Sequence, residues 1–353
     1  MKIQLLATSQ GYSFINQAQA LVTGLKMAGV TVIPETANCQ EADIVMGVGS
    51  WRDYDLLVKK PLNKGAKRVI PWLVSDDKVE KYEEQLNSLE MVLTTSEFCK
   101  RVMVRDGINP KLIEVLPEAV DDSFWHPLAK EELEPTIKLL TMSSMGVEIP
   151  EKLDLGKLKA TKVPIIFTTG GDATSKGALE VIEALGKIYR KTGNKRWLYM
   201  LKTWPYAGSL RRSAVELELA ENLGIWENIR YLVGEFSQEF LRDLMNICDI
   251  YAAPSRGVGF GLPLVEAAMC GKPVVTCTGT AAEETVVQGE TGFIARRDDI
   301  DDLAGYLEKL IVDKSLREKL GKRGREIAVE KYSPRVIGQK FLDIICPTYN
   351  SLQ

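Results

Sequence analysis

Short apolar runs rich in β-branched residues alternate with helical patterns from one end of the chain to the other, and this alternation leaves few folds open. Residues 3–7, 43–48, 69–73 and 91–95 are apolar at consecutive positions, as expected of strands in a parallel sheet covered by helices on both faces. Between the first two, Phe14 to Met27 carries apolar residues at 14, 15, 18, 21, 22 and 25, a helical spacing stopped by Gly29. The pattern breaks near 127–136, where Pro127, Pro135 and the charged run Lys130-Glu131-Glu132 fall together. A second series follows, with strands expected at 164–169, 197–201, 229–233, 249–253, 273–276 and 292–295. Its helices are expected at 176–191, 209–223, 237–247, 262–270 and 300–312. Two such arrays predict an α/β chain of two doubly wound, Rossmann-like domains with a cleft between them, residues 1–130 and 131–333. The length of 353 residues agrees, at about 150 per domain. Residues 137–162, which begin Ile137-Lys138-Leu139-Leu140-Thr141-Met142, fit neither array and have no assigned place, a small extra hairpin before the second sheet being one option.

Composition removes several classes. With 45% hydrophobic and 26% charged residues the chain buries a full core, which rules out disorder and fibrous repeats. No apolar run approaches the roughly 18 residues of a membrane span. Met1-Lys2-Ile3-Gln4-Leu5-Leu6-Ala7 is too short an apolar segment for a signal peptide and reads as a first strand, so a cytoplasmic protein is expected. Forty-five basic against 48 acidic residues give a net charge of −3, which speaks against a nucleic-acid binder working by phosphate neutralisation. Six cysteines, at 39, 99, 248, 270, 277 and 346, form no C-x-x-C pair and are read as reduced, buried side chains. His126 is the sole histidine, so neither a zinc site nor a Ser-His-Asp triad is expected.

Ligands of open α/β sheets sit beyond the carboxyl ends of strands, where helix N-termini hold anions. Two junctions in the second half have suitable chemistry. At Phe167-Thr168-Thr169-Gly170-Gly171-Asp172-Ala173-Thr174-Ser175-Lys176-Gly177, paired glycines admit close backbone approach and Lys176 adds a positive charge. The same stretch also reads as an ordinary glycine turn followed by a solvated lysine. At Pro254-Ser255-Arg256-Gly257-Val258-Gly259-Phe260-Gly261-Leu262-Pro263-Leu264-Val265-Glu266, three glycines precede a helix with Pro263 in its first turn. Glu266 lies one turn past Leu262 on the same helix face, where a carboxylate can accept two hydrogen bonds from a vicinal diol such as a ribose.

The stretch Pro254 to Val275 resembles the signature of family 4 retaining glycosyltransferases. Leu116-Pro117-Glu118-Ala119-Val120-Asp121 with Phe124 and Pro127, Lys176-Gly177, Leu232-Val233-Gly234-Glu235-Phe236 and Gly289-Glu290-Thr291-Gly292-Phe293 resemble further family segments in the same order. The resemblance implies the glycosyltransferase-B fold: two facing Rossmann-like domains, the first for acceptor and the second for a nucleotide-sugar donor. It also implies that the C-terminal helix, 334–353, crosses back onto the first domain. By the same resemblance Glu266 binds the donor ribose, and the amides of Gly259, Phe260, Gly261 and Leu262 face the distal phosphate and sugar. Lys176 meets the diphosphate beside Gly170 and Gly171, Val233 and Phe236 lie against the nucleobase, and Gly11 lies beside the donor phosphates.

Three departures from the family pattern stand out. The glutamate expected eight residues before Glu266 is Val258, which leaves an apolar wall where hydroxyls of the donor sugar are normally engaged. An arginine usually found five or six residues before the lysine is replaced by Gly171 and Gly170, and Lys202 at a strand end either supplies that charge or is a surface lysine. A histidine near the donor sugar is absent from Pro71-Trp72-Leu73-Val74-Ser75-Asp76-Asp77. The expected activity is retaining transfer of a hexose from a UDP or GDP donor to a hydroxyl, with Lys176 and Lys202 stabilising the leaving diphosphate and neither metal nor cofactor required. The alternatives are a weak or inactive sugar-nucleotide-binding partner subunit and an epimerase or phosphorylase on the same fold. Asp53-Tyr54-Asp55 fits a metal-binding tripeptide that arises often by chance, and Lys59-Lys60, Lys64 and Lys67-Arg68 suggest at most peripheral membrane contact.

Overall fold

The computed structural model describes residues 1–8, 12–75, 77–141, 163–170, 176–204 and 207–346. Among them the strands are β1 (Lys2–Ala7), β2 (Thr31–Ile33), β3 (Ile44–Ser50), β4 (Val69–Val74), β5 (Val92–Thr94) and β6 (Ile113–Val115), then β7 (Ile165–Thr169), β8 (Leu198–Thr203), β9 (Ile229–Val233), β10 (Ile250–Ala252), β11 (Val274–Cys277) and β12 (Gly292–Ala295). The longer helices are α1 (Tyr12–Met27), α2 (Glu97–Arg105), α3 (Lys130–Thr141), α4 (Ala178–Thr192), α5 (Ala207–Asn222), α6 (Gln238–Ile247), α7 (Leu262–Met269), α8 (Ile300–Val312), α9 (Lys314–Tyr332) and α10 (Pro334–Ile345).

The chain divides into two compact units. The first comprises Met1–Asp122, Val258–Leu262 and the chain from Ala328 onward; the second comprises Ser123–Gly257 and Pro263–Ile327. In the first unit six parallel strands run in the order β2-β1-β3-β4-β5-β6. The pleat of β1 sends Ile3 and Leu5 into one core with Leu21, Leu25, Ile337 and Phe341, so α1 and α10 cover that face. Gly24 of α1 and Gly338 of α10 let the two backbones touch, because a Cβ at Gly24 would overlap the Pro334 carbonyl. The opposite face carries a second cluster that includes Val45, Leu57, Val58 and Leu73.

In the second unit the six parallel strands run β12-β11-β10-β7-β8-β9. Read from β9, this is the doubly wound order with its reversal between β7 and β10. Ile166, Tyr199, Leu201, Tyr231 and Ile250 face the core built with α4 and α8.

Three differences from the expected outline stand out. The compact units do not coincide with the domains expected at 1–130 and 131–333: the first unit ends at Asp122, takes back the chain from Ala328 and includes the loop Val258–Leu262. The cause of the early boundary is local: the Asn246 side chain donates to the His126 carbonyl at 3.0 Å and accepts from the Leu128 N–H at 2.9 Å, which fixes this segment to α6. Second, Ile137 to Thr141 belongs to helix α3, not to a hairpin, and Pro135 lies inside that helix. Thr136 donates to Asp243 of α6 at 2.5 Å, and Leu133 and Leu140 are buried at helical spacing, so tertiary packing outweighs the proline. Residues 142–162 lie outside the described residues. Third, the C-terminal helix spans Pro334–Ile345; residues 347–353 also lie outside the described residues.

Candidate functional site

Parallel register assembles one group of side chains at the carboxyl edge of the second sheet. Tyr251 of β10 pairs with Phe167 of β7, and Thr169 pairs with Lys202 of β8, so all four share one face. The Tyr251 and Thr169 hydroxyls lie 2.6 Å apart. Lys202 is only 6% exposed, and its ammonium sits 3.4 Å from the centroid of the Trp204 ring. Among the described residues no hydrogen bond or ion pair reaches that ammonium. Burial lowers its pKa to about 8, with the charge of Glu235 opposing the shift.

The Lys202 carbonyl accepts the Gly170 N–H at 2.8 Å, which extends the ladder one residue past β7. Gly170 therefore spends its amide inside the sheet. The expected contribution of Gly171 lies outside the described residues, as does that of Gly11. On the far side of β8, Val233 pairs with Thr203, the Gly234 N–H reaches the Thr203 carbonyl at 3.1 Å, and Phe236 stacks on Phe240 at 4.8 Å.

Glu266 lies one turn into α7 and is half-buried. Burial drives its carboxyl up to about 8, and Lys176 opposes the shift. The Tyr251 phenol is raised by burial, with the Glu266 charge adding to the effect. Glu266, Lys176 and Tyr251 thus feel one another at the reversal between β7 and β10. Among the described residues no hydrogen bond reaches the Glu266 carboxylate. Gly177, left-handed at φ +82°, holds Lys176 there: a Cβ at that position would overlap the Pro254 carbonyl beyond β10.

Gly259, Phe260, Gly261 and Leu262 belong to the first unit. The Gly259 carbonyl accepts hydrogen bonds from Thr95 Oγ1 at 2.9 Å, Ser96 Oγ at 2.7 Å and Cys99 Sγ at 3.2 Å. Phe260 meets Tyr332 edge-on at 5.4 Å, and Val258 is buried.

Four residues of these surroundings escaped sequence reading: Trp204, Tyr251, Thr95 and Ser96. The first two carry a usable signal, an aromatic ring beside a lysine at a strand end and a phenol within an aliphatic strand. The last two, at the end of the strand expected at 91–95, carry no such signal. The weaker candidates find local roles. Asp53 accepts from the Thr8 hydroxyl at 3.3 Å and the Ser50 N–H at 3.2 Å, while Asp55 accepts from Tyr82 at 3.2 Å. Lys59, Lys67 and Arg68 of the basic stretch face Asp55, Asp43 and Glu90. No disulfide joins any of the six cysteines, and five of them are buried. Among the described residues no three His, Cys, Asp or Glu side chains gather as metal ligands, and no helix is long and apolar enough to cross a membrane.

A reversal-point carboxylate beside a lysine, on two parallel six-stranded sheets, is the frame in which a family can be assigned. The model of the family Glycosyl transferases group 1 matches residues 151–327, half of the chain, and the chain belongs to that family. It is 29% identical over 232 residues to the capsular polysaccharide biosynthesis glycosyltransferase CapM of Staphylococcus aureus, covering 63% of this chain and 59% of that protein. It is 27% identical over 223 residues to a D-inositol 3-phosphate glycosyltransferase of Rhodococcus erythropolis, covering 63% of this chain and 45% of that protein. The chain thus spans roughly half the length of these curated relatives. Among solved structures, HepE of Anabaena in complex with UDP superposes with a TM-score of 0.73 at 17% identity, covering 98% of this chain and 100% of that one. A glycosyltransferase of Rickettsia africae superposes with a TM-score of 0.73 at 17% identity, covering 97% of each chain. These likenesses establish the glycosyltransferase-B fold.

Proposed function

We propose that this protein is a glycosyltransferase that moves a hexose from a UDP or GDP donor to an acceptor hydroxyl, with retention at the anomeric carbon and without a metal ion. One observation carries the reading: a half-buried Glu266 carboxylate, open to hydrogen bonding and set beside Lys176, stands at the reversal point of the second sheet. A carboxylate so placed accepts both hydroxyls of a ribose, and a neighbouring lysine attracts the attached diphosphate. Lys202, buried and lacking a hydrogen-bonded anion among the described residues, is suited to a second phosphate charge. HepE, which shares the fold, was crystallised with UDP and with UDP-glucose. In a front-face transfer the departing phosphate takes the acceptor proton, so the chief demand on the protein is to stabilise the leaving diphosphate. Lys176 and Lys202 meet that demand. On this reading the first unit takes the acceptor, and the reaction runs in the cytoplasm.

Titration calorimetry with UDP and GDP, followed by NMR of the products formed from the matching nucleotide hexoses, tests the proposal. Binding with an anomerically retained product is the expected result. Failure of every nucleoside diphosphate to bind overturns it. A sugar-nucleotide-binding subunit is the second reading, favoured by buried Val258 in place of the family's glutamate. Binding without product supports it. Val258→Glu then discriminates further: a gain in turnover marks the valine as a deficit, whereas a loss marks a pocket shaped for another sugar.

A further inference from the structure

The first unit carries a cavity of about 430 Å³ to which the donor reading gives no role. Its floor comes from β1, one wall from residues 35–38 after β2, and the other from the helical turns Asp55–Lys59 and Lys60–Asn63 with Lys64. All of these residues fall within Met1–Asp122, so the cavity is complete inside that unit. The pleat that sends Ile3 and Leu5 toward α1 turns Gln4 and Leu6 to this side. Gln4 is 1% exposed, and its Nε2 donates to the carbonyls of Pro34 and Glu35, each at 3.1 Å, and of Ala37 at 2.8 Å, which ties the wall to the sheet. Among the described residues its Oε1 receives no hydrogen bond. A buried acceptor left open is rare and calls for a hydrogen that the chain itself does not supply.

The charges of the lining are kept apart. Lys59, Lys67 and Arg68, on the same stretch of chain, each meet a carboxylate. Lys60 and Lys64, which line the cavity, meet none among the described residues, and no cation meets Glu35 of the other wall. We propose that this cavity binds a small two-ended phosphate monoester, its phosphate at Lys60 and Lys64 and a hydroxyl or ammonium at its other end toward Glu35 and Gln4. The site stands on its own and does not rest on the donor reading. Two ammonium groups one turn apart suit a dianion, since each is a compact charge with three N–H groups and no fixed plane. A carboxylate only accepts, so the far end of the ligand has to donate. Two cations against one carboxylate leave the lining positive, which favours a ligand of net negative charge. Leu56, 43% exposed, and Pro61 offer apolar surface to its carbon body, as small-molecule sites do.

O-phosphoethanolamine and hydroxyethyl phosphate carry the two kinds of far end, and inorganic phosphate carries neither. In an NMR titration of the full chain at least one ester is expected to bind saturably, about tenfold more tightly than inorganic phosphate. Lys60→Gln combined with Lys64→Gln is expected to weaken the ester by about tenfold or more, and Glu35→Gln by about fivefold. Both lysines are exposed and unpaired, so the variant keeps its fold. Lys59→Gln removes the same charge outside the cavity lining and is expected to leave binding nearly unchanged. Failure of both esters to bind overturns the proposal, as does inorganic phosphate binding equally well. An equal loss in Lys59→Gln overturns it too, because the attraction would then be general surface charge. Displacement of the ester by saturating UDP also overturns it, because the ester would then occupy the donor site. A chain that binds the ester but no nucleoside diphosphate upholds this inference while the donor reading fails.

Discussion

The two sheets use their reversal points in opposite ways. In the first unit, between β1 and β3, polar groups satisfy one another: Asp53 accepts from Thr8 and from the Ser50 N–H and closes a capping box. In the second unit, between β7 and β10, the Tyr251 and Thr169 hydroxyls satisfy each other, but the nearby Glu266 carboxylate is left open among the described residues. No hydrogen bond reaches the Glu266 carboxylate among the described residues, and burial displaces its titration upward to about 8. One strand over, burial displaces Lys202 downward to about 8. Both shifts have burial as their largest cause and disfavour charge at each group. Among the described residues, the same topology thus pairs the Asp53 carboxylate in one unit and leaves the Glu266 carboxylate open in the other, the difference on which the proposed donor site rests.

The sharpest way to break this contrast is at Gly177, which holds the lysine of the second unit's junction. Gly177→Val forces a β-branched side chain into a left-handed conformation and into the Pro254 carbonyl. We expect a loss of about 2–5 kcal/mol in denaturant unfolding and no UDP binding. An unchanged midpoint would show that the β7 and β10 exits are not in contact there.

Next in size is a pair of carboxylate deletions. Above about pH 8, where Glu266 is ionised, Glu266→Ala is expected to weaken UDP binding by roughly 1.5–3 kcal/mol, the value of hydrogen bonds to a charged group. Asp53→Ala is expected to cost stability, about 0.5–2 kcal/mol for a lost cap, and to leave UDP affinity within twofold. If Asp53→Ala loses affinity and Glu266→Ala does not, the roles of the two junctions are exchanged. Glu266 also sets a pH dependence. Its folded pKa, about 8, exceeds the ordinary 4.5, so between these values the folded state binds more protons than the unfolded one. Stability from this group is thus lost as pH rises through that window. Glu266→Gln should flatten the slope of melting temperature against pH between 5 and 8.

Legibility in the sequence followed physical length and burial. The core of β1, β3, β4 and β7 stood out because parallel strands buried on both faces are apolar at consecutive positions. β2 and β6, three residues each, are too short to show any period. α3 was hidden by Pro135, whose local preference yields to the contact between Thr136 and Asp243. At the candidate site, Lys176, Lys202 and Glu266 were visible because charge at a strand end or on an apolar helix is conspicuous. Tyr251 and Trp204 looked like core, since an aromatic ring reads the same whether it packs or presents a polar edge. Thr95 and Ser96 touch Gly259 across 163 or more positions, a separation that no local pattern encodes.

The smallest expected effect tests whether Lys202 is truly held for an anion. With a folded pKa of about 8 against an ordinary 10.5, Lys202 loses stability relative to the unfolded chain as pH falls from 10.5 toward 8. An arriving diphosphate reverses the preference, favours the ammonium and draws in a proton. UDP affinity should therefore decline as the free protein loses this charge, by about fourfold between roughly pH 7 and pH 8.5. Glu266 titrates in the same range, so the informative quantity is the difference in slope between the wild type and Lys202→Met. A fourfold difference, with proton uptake seen in buffers of unlike ionisation enthalpy, places Lys202 against the ligand's charge. Equal slopes would return Lys202 to the role of a lysine stacked on Trp204, and the proposed donor site would then rest on Glu266 and Lys176 alone.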